Sequence, residues 1–185
     1  IKMRLLIIGD THIPERASKI PQLILDTIKQ NNFDFVLSTG DLTHEGVLEY
    51  LKKLGKEVRA VRGNMDYLRF PKIEKLKVES IIIGLIHGDQ VFPRGDVSQL
   101  TEIATEMNVD VLISGHTHRL SVDEVKLNKK KILLLNPGSA TGVWGGGPAS
   151  YVPSFIIIEV ENERKTVHAY ELINSKLEKE IYVFE

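Results

Sequence analysis

Five short apolar stretches of the chain end at a glycine or a polar turn, and each is followed closely by side chains of the kinds that bind metal ions. Apolar runs of this length are typical of buried strands in parallel sheets. Open α/β folds bind their ligands at the carboxyl ends of such strands. We therefore expect these side chains to converge on one edge of one sheet. In chain order they are Asp10 with His12, Asp41, Asn64, His87, and His116 with His118.

The stretch at residues 110–118 carries the strongest single signal. Its apolar part predicts a strand over Val111–Ile113, and Gly115 permits a tight turn where the strand ends. Residues two apart in an extended chain face the same side, so His116 and His118 are expected to offer two imidazole nitrogens together. Taken alone, the pattern is equally compatible with two unrelated loop histidines.

Each of the other signals also has a structural explanation by itself. Asp10 and His12 could belong to a capped turn, and Asp41 could cap a helix. Asn64 tolerates a left-handed turn, and a lone His87 could be a hydrogen-bonded core residue. The joint occurrence of these residues at five strand ends favours a metal site, because clustered histidines and aspartates are the usual mark of one.

The number and type of donors predict two metal ions. Four imidazoles with three carboxylate or amide side chains are too many for one ion, and they suit two ions that share a carboxylate at roughly 3.5–4 Å. Such a pair polarises a phosphoryl group and turns a bridging water into a hydroxide that attacks phosphorus in line. Nitrogen and oxygen donors fit manganese, iron, cobalt, nickel or zinc better than magnesium or calcium. The chain has no cysteine, which excludes thiolate zinc sites and a thiol nucleophile.

Composition limits the other classes of function. The 185 residues fit one domain, residues 1–185, with 42% hydrophobic residues to build a core. The net charge of −1 argues against sequence-independent binding to nucleic acid, which depends on phosphate neutralisation. We find no signal peptide and no apolar run of the ~18 residues that a membrane span needs. We expect a cytoplasmic protein without membrane insertion.

The order of elements predicts two sheets packed face to face with helices outside. Strands and helices alternate up to residue 61, and paired strands dominate afterwards. Helices are predicted over 21–30, 45–54 and 97–107; strands over 5–8, 33–37, 58–61, 76–80, 81–86, 111–113, 121–127, 131–135, 155–160, 166–172 and 181–184; and a glycine-rich loop over 136–147.

The motifs Asp-x-His, Gly-Asp, Gly-Asn, an apolar strand ending in His, and Gly-His-x-His, in this order over residues 9–118, resemble those of the calcineurin-like metallophosphoesterases. The resemblance implies an α/β fold, a four-layer αββα sandwich of two mixed β-sheets flanked by helices. It implies that Asp41 bridges the two metals and that Asp41, Asn64 and His116 are the catalytic residues around a metal-bridging water. By the same resemblance one metal is held by Asp10, His12, Asp41 and His118, and the other by Asn64, His87 and His116.

Four further segments, at residues 9–14, 84–91, 136–142 and 152–155, resemble the small phosphoesterase-fold subunit of retromer. That subunit is a scaffold that has lost part of the metal set, whereas this sequence keeps all of it. The sequence is therefore similar to the compact archaeal and bacterial phosphodiesterases, which implies cleavage of a small phosphodiester. The alternative is a metal-stabilised scaffold for a protein partner with weak or no catalysis. A homo-oligomer is also compatible with the sequence.

The sequence departs from the family at one position. Many members have a histidine where this chain has Met65, and that histidine is thought to protonate the leaving group or stabilise charge. Without it, we expect aryl phosphodiesters to be cleaved better than alkyl ones. His44 could be a substitute acid or an exposed residue of the next helix. Asp66 and Asp89 could orient the imidazoles or serve as turn residues.

The glycine-rich loop contains Trp144 next to Gly145–Gly147, and it is expected beside the site, where an exposed tryptophan would contact substrate or partner. An exposed apolar patch around Tyr151–Phe155 would favour the scaffold, because such patches mark partner surfaces.

Overall fold

The computed structural model describes residues 1–185. It contains three helices and eleven strands. The helices are α1 (Gln22–Lys29), α2 (Glu45–Lys52) and α3 (Val97–Met107). The strands are β1 (Met3–Ile8), β2 (Phe33–Ser38), β3 (Gly55–Ala60), β4 (Ile73–Val78), β5 (Ile81–Ile86), β6 (Val111–Ile113), β7 (Leu120–Leu127), β8 (Lys130–Pro137), β9 (Ser154–Glu161), β10 (Arg164–Ile173) and β11 (Lys176–Phe184).

The strands form two mixed sheets. The first has six strands in the order β11-β10-β9-β1-β2-β3, and the second has five in the order β4-β5-β6-β8-β7. In the first sheet β1, β2 and β3 run parallel, and β9 joins β1 antiparallel. In the second sheet β5, β6 and β8 run parallel between the antiparallel edge strands β4 and β7.

The apolar core has three parts, which define four layers. Seventeen buried residues, among them Leu5, Ile83 and Ile158, fill the space between the two sheets. The outer face of the first sheet packs on α1 and α2, which bury residues four apart, Ile24 with Ile28 and Val47 with Leu51. The outer face of the second sheet packs on α3. The predicted αββα sandwich is confirmed.

Several predicted bounds differ from the structure. The strand predicted over 58–61 is β3 at Gly55–Ala60, and the one predicted over 76–80 is β4 at Ile73–Val78. Two further differences have identifiable reasons. The glycine-rich segment begins after Pro137, because Asn136 still pairs with Ser121 in the β7–β8 hairpin. The last strand begins at Lys176 instead of Ile181, because β11 is an edge strand whose first half carries charged, exposed side chains.

The expectation that the candidate ligands share one sheet was wrong. Asp10, Asp41 and Asn64 follow β1, β2 and β3 of the first sheet, whereas His87 and His116 follow β5 and β6 of the second. The candidate site therefore lies where the carboxyl ends of the strands of both sheets meet.

No helix in the structure combines the length and the apolar character that crossing a membrane would require.

Candidate metal centre

The loops after β1 and β2 hold each other in place through their backbones. The Asp10 N–H donates to the Gly40 carbonyl at 2.9 Å, and the His12 N–H donates to the Asp41 carbonyl at 3.0 Å. The backbone is left-handed at Asp10, His12 and Asp41, with φ of 51°, 46° and 52°. Non-glycine residues adopt this conformation at a cost, and such residues concentrate at functional sites.

The seven predicted ligands form two adjoining clusters with Asn64 at the margin. Asp10, His12 and His118 offer ligand atoms that all lie within 4.8 Å of one another, and so do Asp41, His87 and His116. These six residues are buried, none of them more than 9% exposed.

Asp41 lies between the clusters. Its Oδ2 is 3.4 Å from His12 Nε2 in the first cluster and 3.2 Å from His87 Nε2 in its own. Its Oδ1 accepts the backbone N–H of Met65 at 2.8 Å, which fixes the carboxylate plane. Oδ2 therefore lies beside imidazole nitrogens of both clusters.

The donors of the first cluster fit a metal ion. Asp10 Oδ1 and His12 Nε2 are both buried, and neither has a hydrogen-bond partner. Buried polar atoms are nearly always paired, so two unpaired ligand atoms in one cluster are the signature of a site built for a cation.

Backbone carbonyls orient two of the imidazoles. His87 Nδ1 lies 2.7 Å from the Thr39 carbonyl, and His118 Nδ1 lies 2.8 Å from the Val143 carbonyl. A carbonyl can only accept, so each Nδ1 carries a proton, and each Nε2 faces the cluster. Neither carbonyl could be found from the sequence, because every residue has one.

His116 and His118 do not act as the predicted pair. Their φ angles are 72° and 57°, so the alternation of an extended chain does not apply to them. His118 lies beside His12, and His116 lies beside His87, with ring centroids 5.1 Å apart in both cases. The His116 N–H donates to Asp10 Oδ2 at 2.9 Å, which joins the loop after β6 to the loop after β1.

Asn64 and Asp66 follow β3 and have different roles. Asn64 Oδ1 is 2.9 Å from His87 Nε2, so the amide reaches the second cluster although the residue is exposed. Asp66 contacts no imidazole, contrary to the predicted orienting role. Its carboxylate accepts the backbone N–H groups of Gly63, Asp41 and Thr43 at 2.8–2.9 Å. Asp66 thereby fixes the backbone at Asp41.

The other candidates lie at the surface. His44 caps α2, its Nδ1 accepts the Gly46 N–H at 2.9 Å, and its side chain is exposed. This arrangement matches the exposed-residue interpretation of His44. Asp89 is exposed and forms no hydrogen bond or ion pair, so it orients no imidazole.

Burial and charge set the protonation of the cluster. Burial raises the pKa of Asp10 to about 6 and lowers the pKa of His12 and of His116 to about 4 each. For His87, burial acts in the opposite direction, but the hydrogen bond to Asp41 and the charges of Asp10 and Asp41 outweigh it and raise the pKa to about 9. The pKa of Asp41 is lowered, since its contact with His87 outweighs the effect of burial.

The two-sheet sandwich with paired histidine–aspartate clusters is the fold of a metallophosphoesterase. Residues 3–163 match the calcineurin-like phosphoesterase superfamily domain, and the chain belongs to that superfamily.

Similar proteins include a probable metallophosphoesterase and several Vps29 proteins. The chain is 48% identical over 135 residues to a probable metallophosphoesterase of Methanocaldococcus jannaschii, covering 73% of this chain and 67% of that protein. It superposes on zinc-bound wild-type Vps29 of Entamoeba histolytica with a TM-score of 0.91 at 37% identity, covering 99% and 100% of the two chains. Vps29 of Chaetomium thermophilum bound to a cyclic peptide gives a TM-score of 0.80 at 27% identity, over 99% and 96% of the chains. The resemblance to the phosphoesterase-fold subunit of retromer is confirmed.

Proposed function

We propose that the protein is a phosphodiesterase that works with two divalent transition-metal ions. One observation carries the proposal: Asp41 Oδ2 joins two clusters, at 3.4 Å from His12 Nε2 and 3.2 Å from His87 Nε2. When bound, such ions polarise the phosphoryl group and make water a nucleophile at neutral pH. Manganese, nickel, zinc, iron and cobalt all suit nitrogen and oxygen donors.

The chain's own residues divide the work. We assign Asp10, His12 and His118 to one ion, Asn64, His87 and His116 to the other, and Asp41 to both. His12 and His116 have lowered pKa values, so both imidazoles are neutral at pH 7 and ready to donate nitrogen lone pairs. Asn64, the exposed member of the set, is assigned to contact with the substrate.

Position 65 sets the substrate preference. Met65 contributes only its backbone N–H, which holds Asp41 Oδ1, and its side chain cannot protonate a leaving group. His44, the other candidate acid, is exposed and uses Nδ1 to accept the Gly46 N–H at the start of α2, and it contacts no member of the clusters. We therefore assign to this chain diesters whose leaving group departs without a proton.

The test is hydrolysis of an aryl phosphodiester and the matching monoester by metal-stripped protein with Mn²⁺, Ni²⁺, Zn²⁺ or Mg²⁺ added back. Asp41→Ala is the variant and Asp123→Ala, an exposed aspartate on β7, is the matched control. Metal-dependent diester cleavage that Asp41→Ala abolishes and Asp123→Ala retains supports the proposal. Bound metal without turnover under any condition contradicts it.

A scaffold is the second candidate, favoured by exposed aromatic side chains on loops near the clusters. Phe92 is 85% exposed and Trp144 is 52% exposed. The segment at 151–155 contributes only Tyr151, since Phe155 is buried. The structure of a Vps29 relative contains a bound peptide, which supports a protein partner for this chain too.

The cytoplasmic location and the homo-oligomer stay predictions.

A further inference from the structure

Two arginines flank the clusters, and neither is paired with a carboxylate. Arg16 and Arg94 are half-buried, and neither forms an ion pair with a carboxylate anywhere in the structure. Both donate only to backbone carbonyls, and each reaches one carbonyl of the glycine-rich segment. Arg16 Nη1 donates to the Trp144 carbonyl at 2.7 Å, and Arg94 Nη1 donates to the Gly145 carbonyl.

The segment that they hold lies directly on the first cluster. A Cβ added to Gly145 would be 2.8–3.0 Å from three atoms of the His118 ring, so only glycine fits there. The preceding Val143 carbonyl accepts from His118 Nδ1. The glycine-rich segment thus contacts both Arg94, through the Gly145 carbonyl, and His118, through the Val143 carbonyl. These two contacts fix the position of Arg94 relative to the first cluster.

Arg94 lies on the side of the second cluster. Its Nη1 is 3.5 Å from the His116 carbonyl. Gly95 approaches the same loop so closely that a Cβ there would be 2.9 Å from the Thr117 methyl group. The charge of Arg94 adds to burial and to His87 in lowering the pKa of His116.

One edge of the Arg94 guanidinium is free. All its hydrogen bonds come from Nη1, so Nε and Nη2 have no partner. These two N–H groups form the side of the guanidinium that binds two oxygens of one phosphate at once. Gly146 and Gly147 pack against the guanidinium: a Cβ at Gly146 would be 3.3 Å from Nη2, and one at Gly147 would be 3.4–3.5 Å from Cζ, Nε and Nη1.

We propose that Arg94 binds the two non-reacting oxygens of the substrate phosphoryl group through its free Nε–Nη2 edge, beside the cluster of His116. This inference rests on the proposed function. It adds to the metal ligands a substrate contact that no sequence motif indicated. Gly145 leaves room for the His118 ring, and Gly146 and Gly147 pack against the guanidinium.

The experiment compares metal-loaded wild-type protein with Arg94→Ala and Arg94→Lys. We measure the metal content, the dissociation constant of inorganic phosphate, and KM and kcat for an aryl phosphodiester. Loss of a bidentate charged contact is expected to weaken phosphate binding roughly 10- to 100-fold, with KM rising more than kcat falls and the metal content unchanged. Added guanidinium ion is expected to restore activity to Arg94→Ala.

Two controls separate this role from others. Arg164→Ala removes one positive charge at a surface ion pair with Glu185 and is expected to leave phosphate binding unchanged. Arg16→Ala releases the same glycine-rich segment from its other arginine. If loosening of that segment were the cause, Arg16→Ala would weaken phosphate binding as much as Arg94→Ala does, and the proposal would be overturned. Equal phosphate binding by Arg94→Ala and wild type would also overturn it.

Failure of the proposed function is a separate result. If wild-type protein hydrolyses no ester with any ion, phosphate binding still tests the role of Arg94. Phosphate binding that is lost in Arg94→Ala supports this role. Wild-type protein that binds no phosphate refutes it.

Discussion

At the residue scale, Asp66 and Asp89 form a natural comparison, because both are aspartates that follow a candidate ligand closely. Asp66 accepts three backbone N–H groups, whereas Asp89 accepts none. We predict that Asp66→Ala lowers the free energy of unfolding by about 2–4 kcal/mol, since it leaves buried donors unpaired. Asp89→Ala is expected to stay within about 0.5 kcal/mol of wild type. Urea denaturation of metal-free protein measures both, and equal effects would contradict the bracing role of Asp66.

A second prediction concerns Met65. Its backbone N–H holds Asp41, and its side chain is 44% exposed, so a histidine side chain can replace it without disturbing the core. We predict that Met65→His raises kcat/KM for an alkyl phosphodiester and changes little for an aryl one. General acid catalysis typically contributes roughly 10²–10⁴-fold, and good leaving groups need it least. If Met65→His left the ratio of the alkyl to the aryl kcat/KM unchanged, the proposed effect of Met65 on substrate preference would be refuted.

At the scale of elements, Glu159 on β9 joins three strands. It accepts from Arg4 Nη2 of β1 at 3.0 Å and lies 2.8 Å from His168 Nε2 of β10. Burial alone would raise the pKa of Glu159, but these hydrogen bonds outweigh it and hold the pKa below its ordinary value of 4.5. The carboxylate therefore stabilises the fold fully above pH 4.5, and this contribution is lost as the pH falls through the lowered pKa.

We predict that Glu159→Gln lowers the free energy of unfolding at pH 7 by about 1.5–3 kcal/mol, the range for hydrogen bonds to charged groups. The difference from wild type should shrink below pH 4.5, where the wild-type carboxylate becomes protonated. Glu161→Gln, at the exposed end of the same strand, is the control. A difference that is constant from pH 3 to pH 7 would contradict the role of the ionised carboxylate.

The helices and strands also show which features of the fold could be predicted from the sequence and which could not. Local pattern was enough to predict that these strands and α1–α3 exist, because apolar spacing acts over a few residues. It did not fix every bound, since β4 and β11 begin earlier than predicted. Sheet membership was not predictable, because the pairing of β6 with β5 and β8 joins residues far apart in the chain. The left-handed backbone at His116 and His118 was also missed, since histidine carries no local signal for it.

At the scale of the whole molecule, the candidate ligands come from both sheets. The first cluster combines Asp10 and His12, after β1, with His118, after β6. The second combines Asp41, after β2, with His87 and His116, after β5 and β6. An ion in either cluster would therefore bind one sheet to the other, in addition to the apolar core between them.

This arrangement predicts that metal ions stabilise the fold as a whole. A ligand that binds only the folded state adds about 2.7 kcal/mol at 100 times its dissociation constant. We expect the Tm of metal-stripped protein to rise with the concentration of Mn²⁺ or Zn²⁺, and Asp41→Ala to lose most of the rise because it affects both clusters. Asp123→Ala should keep the full rise. An ion that binds without raising Tm would have to bind the unfolded chain equally well, which would contradict a site that folding assembles from both sheets.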